Sequence, residues 1–292
     1  SQIRKFREAI PDWIDELGEK ALGDKLWTEE IAKLNEPAEV ILRTNTLKTT
    51  KEELRKALLD ENIVAEPIKG YASALKLVER ANVFVTEAFK NGMFEVQDAS
   101  SQLVAEFLDV EPGQRVVDTC AGAGGKSLHL AALMENKGQL ISMDIYGSKL
   151  KELKRRARRN GAHNIEVREI DSSKVYKKLY GSADRVLIDA PCTGLGVLRR
   201  NPDSKWKMQP DFLDKIIKTQ QEILRNYSKI VKPGGKMVYA TCSILPQENS
   251  DQVKSFLSSE EGKDFKLVKD KKIYASKSGY DGFFMALLEK SV

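Results

Sequence analysis

The hydrophobic pattern changes character twice along the chain. Up to residue 36, Phe6, Ile10, Trp13, Ile14 and Leu17 recur at roughly helical spacing, and a second run spans Leu26 to Leu34. From residue 38 the period shortens, and segments 38–45, 63–68, 75–78 and 83–86 are expected as short strands. Segment 49–62 is expected as a helix, with Thr49 or Thr50 as N-cap and Glu52 or Glu53 closing a capping box. From Arg115 onward, apolar runs at 115–119, 139–144, 165–170, 185–189 and 236–241 alternate with helical segments. Alternation of this kind predicts an α/β fold: a doubly wound, mainly parallel sheet with right-handed crossovers. Segments 265–268 and 283–289 are expected to close it as further strands. The chain then divides into a helical segment at 1–36, a small α+β unit at 37–97 and a larger α/β domain at 98–292.

Composition adds exclusions more than identity. The 292 residues are 41% hydrophobic and 31% charged, and the net charge of +5 mildly favours a polyanionic partner. No stretch approaches the roughly 18 uncharged apolar residues that cross a bilayer, and no signal-peptide core opens the chain. No membrane association and a cytoplasmic setting are therefore expected. The start at Ser1 rather than Met leaves room for a segment upstream. Three cysteines, Cys120, Cys192 and Cys242, show neither the close pairs of a zinc site nor the even count of a disulfide framework. No metal is expected. Buried small hydrophobes are the plain alternative for scattered cysteines.

Where these residues fall makes the chemistry. The first strand of the larger domain runs into Cys120, Ala121, Gly122, Ala123, Gly124, Gly125 and Lys126, with a helix expected from Ser127. Glycines let such a turn approach a ligand, and the helix N-terminus offers free N–H groups. The glycine register matches neither a Walker A loop nor the dinucleotide fingerprint. Asp144 follows the turn by about 20 residues, the position that holds ribose hydroxyls in nucleotide-binding sheets. Asp171 and Asp189 close the third and fourth strands. Acids at successive strand ends point to a shared cleft for an adenosine-bearing cofactor without a triphosphate, against the plainer reading of separate helix caps.

Cys192 follows the fourth strand and Cys242 the fifth, so adjacent parallel strands bring the two thiols side by side. Pro191 stiffens the first turn, and Gly194 and Gly196 are expected to leave room for a flat substrate. The two histidines, His129 and His163, lack an acidic partner nearby in sequence, which argues against a Cys–His hydrolase. A thiol, the acid Asp189 and an adenosine cofactor together describe C5 methylation of cytosine. Residue chemistry alone leaves open which thiol attacks.

The blocks Asp189-Ala-Pro-Cys192-Thr-Gly-Leu-Gly-Val-Leu-Arg-Arg-Asn-Pro-Asp203, Thr219-Gln-Gln-Glu-Ile-Leu, Lys232-Pro-Gly-Gly235, Tyr239-Ala-Thr-Cys242-Ser-Ile-Leu-Pro-Gln-Glu-Asn249 and Asp281-Gly-Phe-Phe carry a resemblance. They resemble the RNA cytosine-5 methyltransferases of the Sun/NOL/NSUN type, and within them the bacterial Sun (RsmB) group acting on 16S ribosomal RNA. The resemblance spans essentially the whole chain. It implies a seven-stranded Rossmann-like methyltransferase sheet with a small RRM-like domain, S-adenosyl-L-methionine as cofactor, and RNA as partner to a monomer. Ribosomal RNA is the expected target, with tRNA or a non-catalytic role in ribosome assembly as alternatives. It further implies Cys242 as nucleophile, Cys192 as the releasing thiol, and cofactor contacts from Cys120 to Lys126 and from Asp144, Asp171 and Asp189. Two departures stand out: Ala123 replaces a usual proline, and Lys149 a common arginine.

Two basic stretches remain. Lys149, Lys151, Lys154, Arg155, Arg156, Arg158 and Arg159 crowd one helix, read as a solvated face. Arg199, Arg200, Lys205 and Lys207, just past Cys192, are expected to meet phosphates.

Overall fold

A computed structural model describes residues 2–292. Ser1, part of the expected helical segment, lies outside them. Helices Asp12–Leu22 and Asp24–Leu34 pack together through Ile14, Trp27, Ile31 and Leu34. Strands β1 (Ile41–Thr44), β2 (Ala65–Pro67), β3 (Ala74–Leu77) and β4 (Phe94–Val96) then form an antiparallel sheet in the order β2-β3-β1-β4. The helix Lys51–Asp60 covers one face of it with Leu54 and Leu58. Thr50 is its N-cap, accepting from the Glu53 N–H while Glu53 reaches back to the Thr50 N–H, so the capping box is complete. Helix, sheet and a four-residue second helix, Glu87–Lys90, reproduce the RRM-like βαββαβ order.

The expected strand at 83–86 is instead a single 3-10 turn, Val83–Val85. Asn82 caps it through the Phe84 N–H, and Phe84 and Val85 stand exposed, so the apolar run has no sheet to join. The strand that completes the sheet is β4, which the sequence reading passed over.

The larger sheet holds seven strands: β5 (Arg115–Asp118), β6 (Gln139–Asp144), β7 (Ile165–Glu169), β8 (Ala183–Asp189), β9 (Val231–Thr241), β10 (Phe265–Ile273) and β11 (Phe283–Lys290). Their order is β10-β11-β9-β8-β5-β6-β7, parallel except that β11 runs against both β9 and β10. Side chains alternate strictly between faces. Leu187, Val238, Ala240, Met285 and Leu287 point to one core, shared with helices Ala99–Phe107, Gly125–Leu133 and Gly147–Asn160. Val186, Ile188, Met237, Tyr239 and Phe284 point to the other, shared with helices Phe212–Tyr227 and Ser250–Leu257. At one edge, β10 buries only its two end residues and exposes Lys266, Lys269, Lys271 and Lys272, with a register break between Leu267 and Lys269. Among the described residues no helix is long and apolar enough to cross a membrane.

A third cluster carries the architecture to the site. Ile10, Ile14, Trp27 and Leu34 of the N-terminal helices pack on Leu195 and Leu198 beyond β8 and on Ile244 and Leu245 beyond β9. The first helices are thus the backing of the loops that bear the thiols.

Candidate active site

Strands β8 and β9 pair in parallel up to Asp189 opposite Ala240, so both chains leave the sheet at the same level. Cys192 and Cys242 follow, and their sulfurs lie 3.4 Å apart. Both thiols are partly exposed and free of disulfide bonds. The loops are fixed from below by Glu248, which is fully buried. Its carboxylate accepts from the Thr193 N–H at 2.8 Å, the Thr193 hydroxyl at 2.6 Å, Gln220 Nε2 at 3.1 Å and the Ser243 hydroxyl. Gln220 also donates to the Pro191 carbonyl at 3.0 Å. Thr241 donates to Asn249 Oδ1 at 2.5 Å, and Asn249 donates to the Ser243 carbonyl at 2.9 Å. One buried carboxylate therefore ties the Cys192 loop to the Cys242 loop.

Glycine is required where the two loops meet a third. Gly196 donates to the Cys242 carbonyl at 2.9 Å and accepts from the Gly282 N–H at 2.8 Å. A Cβ at Gly196 would stand 2.2 Å from the Gly282 carbonyl oxygen. The expected room for a flat substrate at Gly196 is therefore taken up by backbone; at Gly194, with φ of +71°, the nearest atom to an added Cβ is 3.7 Å away.

The electrostatics divide the thiols. Cys192 is pushed well above the usual thiol range, first by its hydrogen bond to Cys242, then by burial and by the charges of Cys242 and Glu248. It keeps its proton, and either sulfur can donate in the contact between them. Lys126 donates to Asp189 Oδ2 at 2.6 Å and lies 5.4 Å from the Phe283 ring centre. Burial works to lower its ammonium, but Asp189 and, next, Cys242 outweigh this and hold it charged. A fixed cation thus sits within electrostatic reach of Cys242.

The other half of the candidate site is built on the turn after β5. Gly122 and Gly124 have φ of +55° and +90°, and a Cβ on Gly124 would strike Leu153 at 2.5 Å. Asp144 accepts from the Gly122 N–H at 2.8 Å and the Tyr146 N–H at 2.9 Å. Beside it Ile145 and Tyr146 are 58% and 55% exposed, an apolar shelf at a strand end otherwise rich in polar groups. A carboxylate, a flat apolar shelf and the N-terminus of the helix Gly125–Leu133 fit a ribose, a purine and a polar tail. Asp171 is exposed and accepts from Ser172 at the far end of this edge. Ala121 is buried, and Cys120 packs against the core, its thiol pushed up by burial. Asp118 is buried beneath the turn, accepts from Ser127 at 2.7 Å, and is pushed up to about 7, chiefly by burial.

The structure brings together Cys192, Cys242, Asp189 and Lys126, and separately Gly122, Gly124 and Asp144 along the same edge. It removes the phosphate-contact expectation for three of four cations past Cys192. Arg199 and Arg200 pair with Asp281, and Arg200 also with Asp98 at 2.9 Å. Lys205 is buried and donates to the Glu8 carbonyl and to Asn35. Only Lys207 of the four points freely outward, 4.0 Å from Asp203. The basic helix is solvated as expected except at Arg156 and Arg159, which turn inward to Glu95. His129 is fully buried, its Nε2 4.0 Å from Glu106, and burial pushes it well below the usual imidazole range. It is neutral and distant in role from the thiols. Glu248, Gln220 and Asn249 are not among the site residues expected from the sequence, although all three lie in the quoted motif blocks, because nothing local marks these polar side chains as buried.

Comparison with known proteins agrees with this geometry. The family model described as 16S rRNA methyltransferase RsmB/F matches residues 105–289, and an RsmF/B-like ferredoxin-like domain model matches residues 10–84. The probable ribosomal RNA small subunit methyltransferase B of Synechocystis sp. is 36% identical over 256 residues, covering 87% of this chain and 57% of that protein. Its counterpart in Bacillus subtilis is 34% identical over 300 residues, covering 96% of this chain and 65% of that protein. The chain therefore spans less than two thirds of the length of these relatives. The crystal structure of PH0851 superposes with a TM-score of 0.92 at 31% identity, over 98% of this chain and 67% of that one. NSun6 from Pyrococcus horikoshii, solved with SFG, shares the fold at a TM-score of 0.89 and 21% identity, over 98% of this chain and 99% of that one. With the model match covering most of the chain, thiol-bearing strand ends included, the protein belongs to the RsmB/F family of 16S rRNA methyltransferases.

Proposed function

We propose that the chain methylates carbon 5 of cytosine in RNA, with small-subunit ribosomal RNA as substrate and S-adenosylmethionine as cofactor. The observation that carries the reading is the pair of sulfurs 3.4 Å apart at the ends of adjacent strands, with Lys126 and Asp189 beside them. The names of the family model and of the relatives support the ribosomal RNA target. The turn from Cys120 to Lys126, with Asp144 and Tyr146, would hold the cofactor, and Asp171 would bound the purine end. S-adenosylmethionine, when bound, supplies an electrophilic methyl group to carbon 5.

Cys242 is the attacking group. Its sulfur lies 3.4 Å from that of Cys192 and within the field of the Lys126 ammonium. The thiolate adds to carbon 6 of a flipped-out cytosine, forming a C–S bond and moving electron density to carbon 5. Asp189 accepts from the N4 amino group of the base, and the Lys126 ammonium paired with it offsets the negative charge that gathers on the ring. In the release step the carbon 5 proton passes to Cys192, whose own proton goes to the departing Cys242 sulfur as the C–S bond breaks. Protons balance across the pair, and Cys192 ends as it began. Cys192 can hold a proton in this way because Glu248 and Cys242 both disfavour its ionised form.

Incubating the purified chain and its variants with S-adenosylmethionine and small-subunit RNA tests the scheme. Cys192→Ala is expected to accumulate a slow-migrating RNA–protein adduct, and Cys242→Ala to give neither adduct nor methyl transfer. An adduct persisting in Cys242→Ala would overturn the assignment. Methyl transfer to tRNA alone would move the substrate, and none to any RNA would favour a binding role.

A further inference from the structure

The glycine turn of the catalytic domain is gripped from outside by the other sheet. Arg43 on β1 and Glu95 on β4 are register partners on the face of the small sheet opposite its helix. Arg43 is 1% exposed and donates through Nη1 to the Gly125 carbonyl and to Gln97 Oε1, each at 2.6 Å. Glu95 is 3% exposed and accepts from Arg156 Nη2 at 2.8 Å, from Arg159 and from Asn160 at 2.5 Å. Arg156, so held, donates through Nη1 to the Ala123 carbonyl at 2.7 Å. One helical turn before Arg156, Leu153 fills the space a Cβ on Gly124 would need. The two turn carbonyls outside the sheet, Ala123 and Gly125, are thereby both fixed by guanidinium groups that the small domain supplies or orients.

We infer that Arg43, Glu95 and Arg156 form a positioning clamp through which the small domain sets the shape, and so the affinity, of the cofactor turn. The clamp rests on the cofactor reading above. A turn with two glycines at positive φ and no proline has many accessible shapes, and ordering it at the moment of binding would cost affinity. Two charge-assisted hydrogen bonds, to the carbonyls on either side of Gly124, remove that freedom beforehand. Glu95 is the keystone: burial works to raise its carboxyl, but Arg156, Asn160 and Arg159 outweigh this and hold it below the usual range. It therefore stays charged and keeps Arg156 aimed at the turn instead of at solvent. The arrangement gives the small sheet a second office, since the half of its open face at β1 and β4 lies against the catalytic domain and is not free to bind RNA.

Titration calorimetry of the full chain with S-adenosylhomocysteine tests this without turnover. Arg156→Ala is expected to weaken binding about 10-fold, the loss expected for one charge-assisted hydrogen bond, and Arg156→Lys less. Glu95→Gln is expected to follow in the same direction, with kcat at saturating cofactor unchanged. The discriminating variant adds Ala123→Pro to Arg156→Ala. Proline fixes φ of the turn covalently, and among the described residues the Ala123 N–H has no hydrogen-bond acceptor to lose. Recovery of affinity in the double variant supports the clamp, because a contact serving only overall stability would not be replaced by a proline in the turn. Equal affinity in the unmodified and Arg156→Ala chains, or a double variant no tighter than Arg156→Ala, overturns it. An unmodified chain that does not bind S-adenosylhomocysteine overturns the cofactor reading and the clamp with it.

Discussion

Around the thiols, the fixing contacts come from the segments that follow β8 and β9 and from the helix Phe212–Tyr227, gathered on the buried carboxylate of Glu248. Around the glycine turn they come from a separate sheet, through Arg43 and through Glu95 and Arg156. The thiol half can be assembled by the catalytic domain together with the N-terminal helices behind it. The turn half is complete only when the small sheet docks. Groups that form and break covalent bonds gain from a rigid local mounting, whereas a site that admits and releases a cofactor can be held by a lever from elsewhere.

If the halves are mounted independently, damage to one should leave the other's binding intact. The largest effect is expected for Glu248→Ala, which strands the donors of Thr193, Ser243 and Gln220 in a buried space. The cost to stability is on the order of 3 kcal/mol, and methyl transfer should be lost. S-adenosylhomocysteine affinity, measured on the folded fraction, should stay within about twofold of the unmodified chain. A parallel loss of cofactor affinity would erase the distinction. Gly196→Ala should cost about 1–3 kcal/mol in urea unfolding, as expected for overpacking, because the new methyl meets the Gly282 and Cys242 carbonyls. Single-turnover rates should fall while the cofactor KM holds.

The smallest effect sharpens the turn side. Asp118 is raised from 3.8 to about 7 in the folded chain, so its contribution is fully present below the unfolded value. It is lost as pH rises through the window from 3.8 to about 7. The melting temperature should therefore drop by about 5 °C between about pH 5 and about pH 8 on this account, and Asp118→Asn should flatten that drop. An unchanged slope in Asp118→Asn would mean that another group carries it.

What could be read from the sequence was whatever a one-dimensional pattern expresses. The run at 139–144 is short and apolar, ends in an acid and forms β6 with those bounds. Cys192 and Cys242 were placed together because parallel strand order alone makes them neighbours. The small sheet was harder. Its β4 is only Phe-Glu-Val, and Glu95 looks like a surface residue until Arg156 and Arg159, more than 60 positions away, neutralise it. Arg199 and Arg200 invite a phosphate for the same reason, because Asp98 and Asp281 that absorb them lie about 80 to 100 residues off. Buried ion pairs have no local signature. The proposed roles of the two thiols rest on the family resemblance, whereas their closeness, 3.4 Å between sulfurs, follows from strand order.

The lysine-studded β10 carries a consequence beyond the site. It is the outermost strand of a seven-stranded sheet, with one backbone edge unpaired among the described residues, and such edges invite a strand from another molecule. Lys266, Lys269, Lys271 and Lys272, together with the break at Leu267, make self-addition repulsive and out of register. The protein can therefore be held at high concentration without its sheets joining edge to edge into fibres.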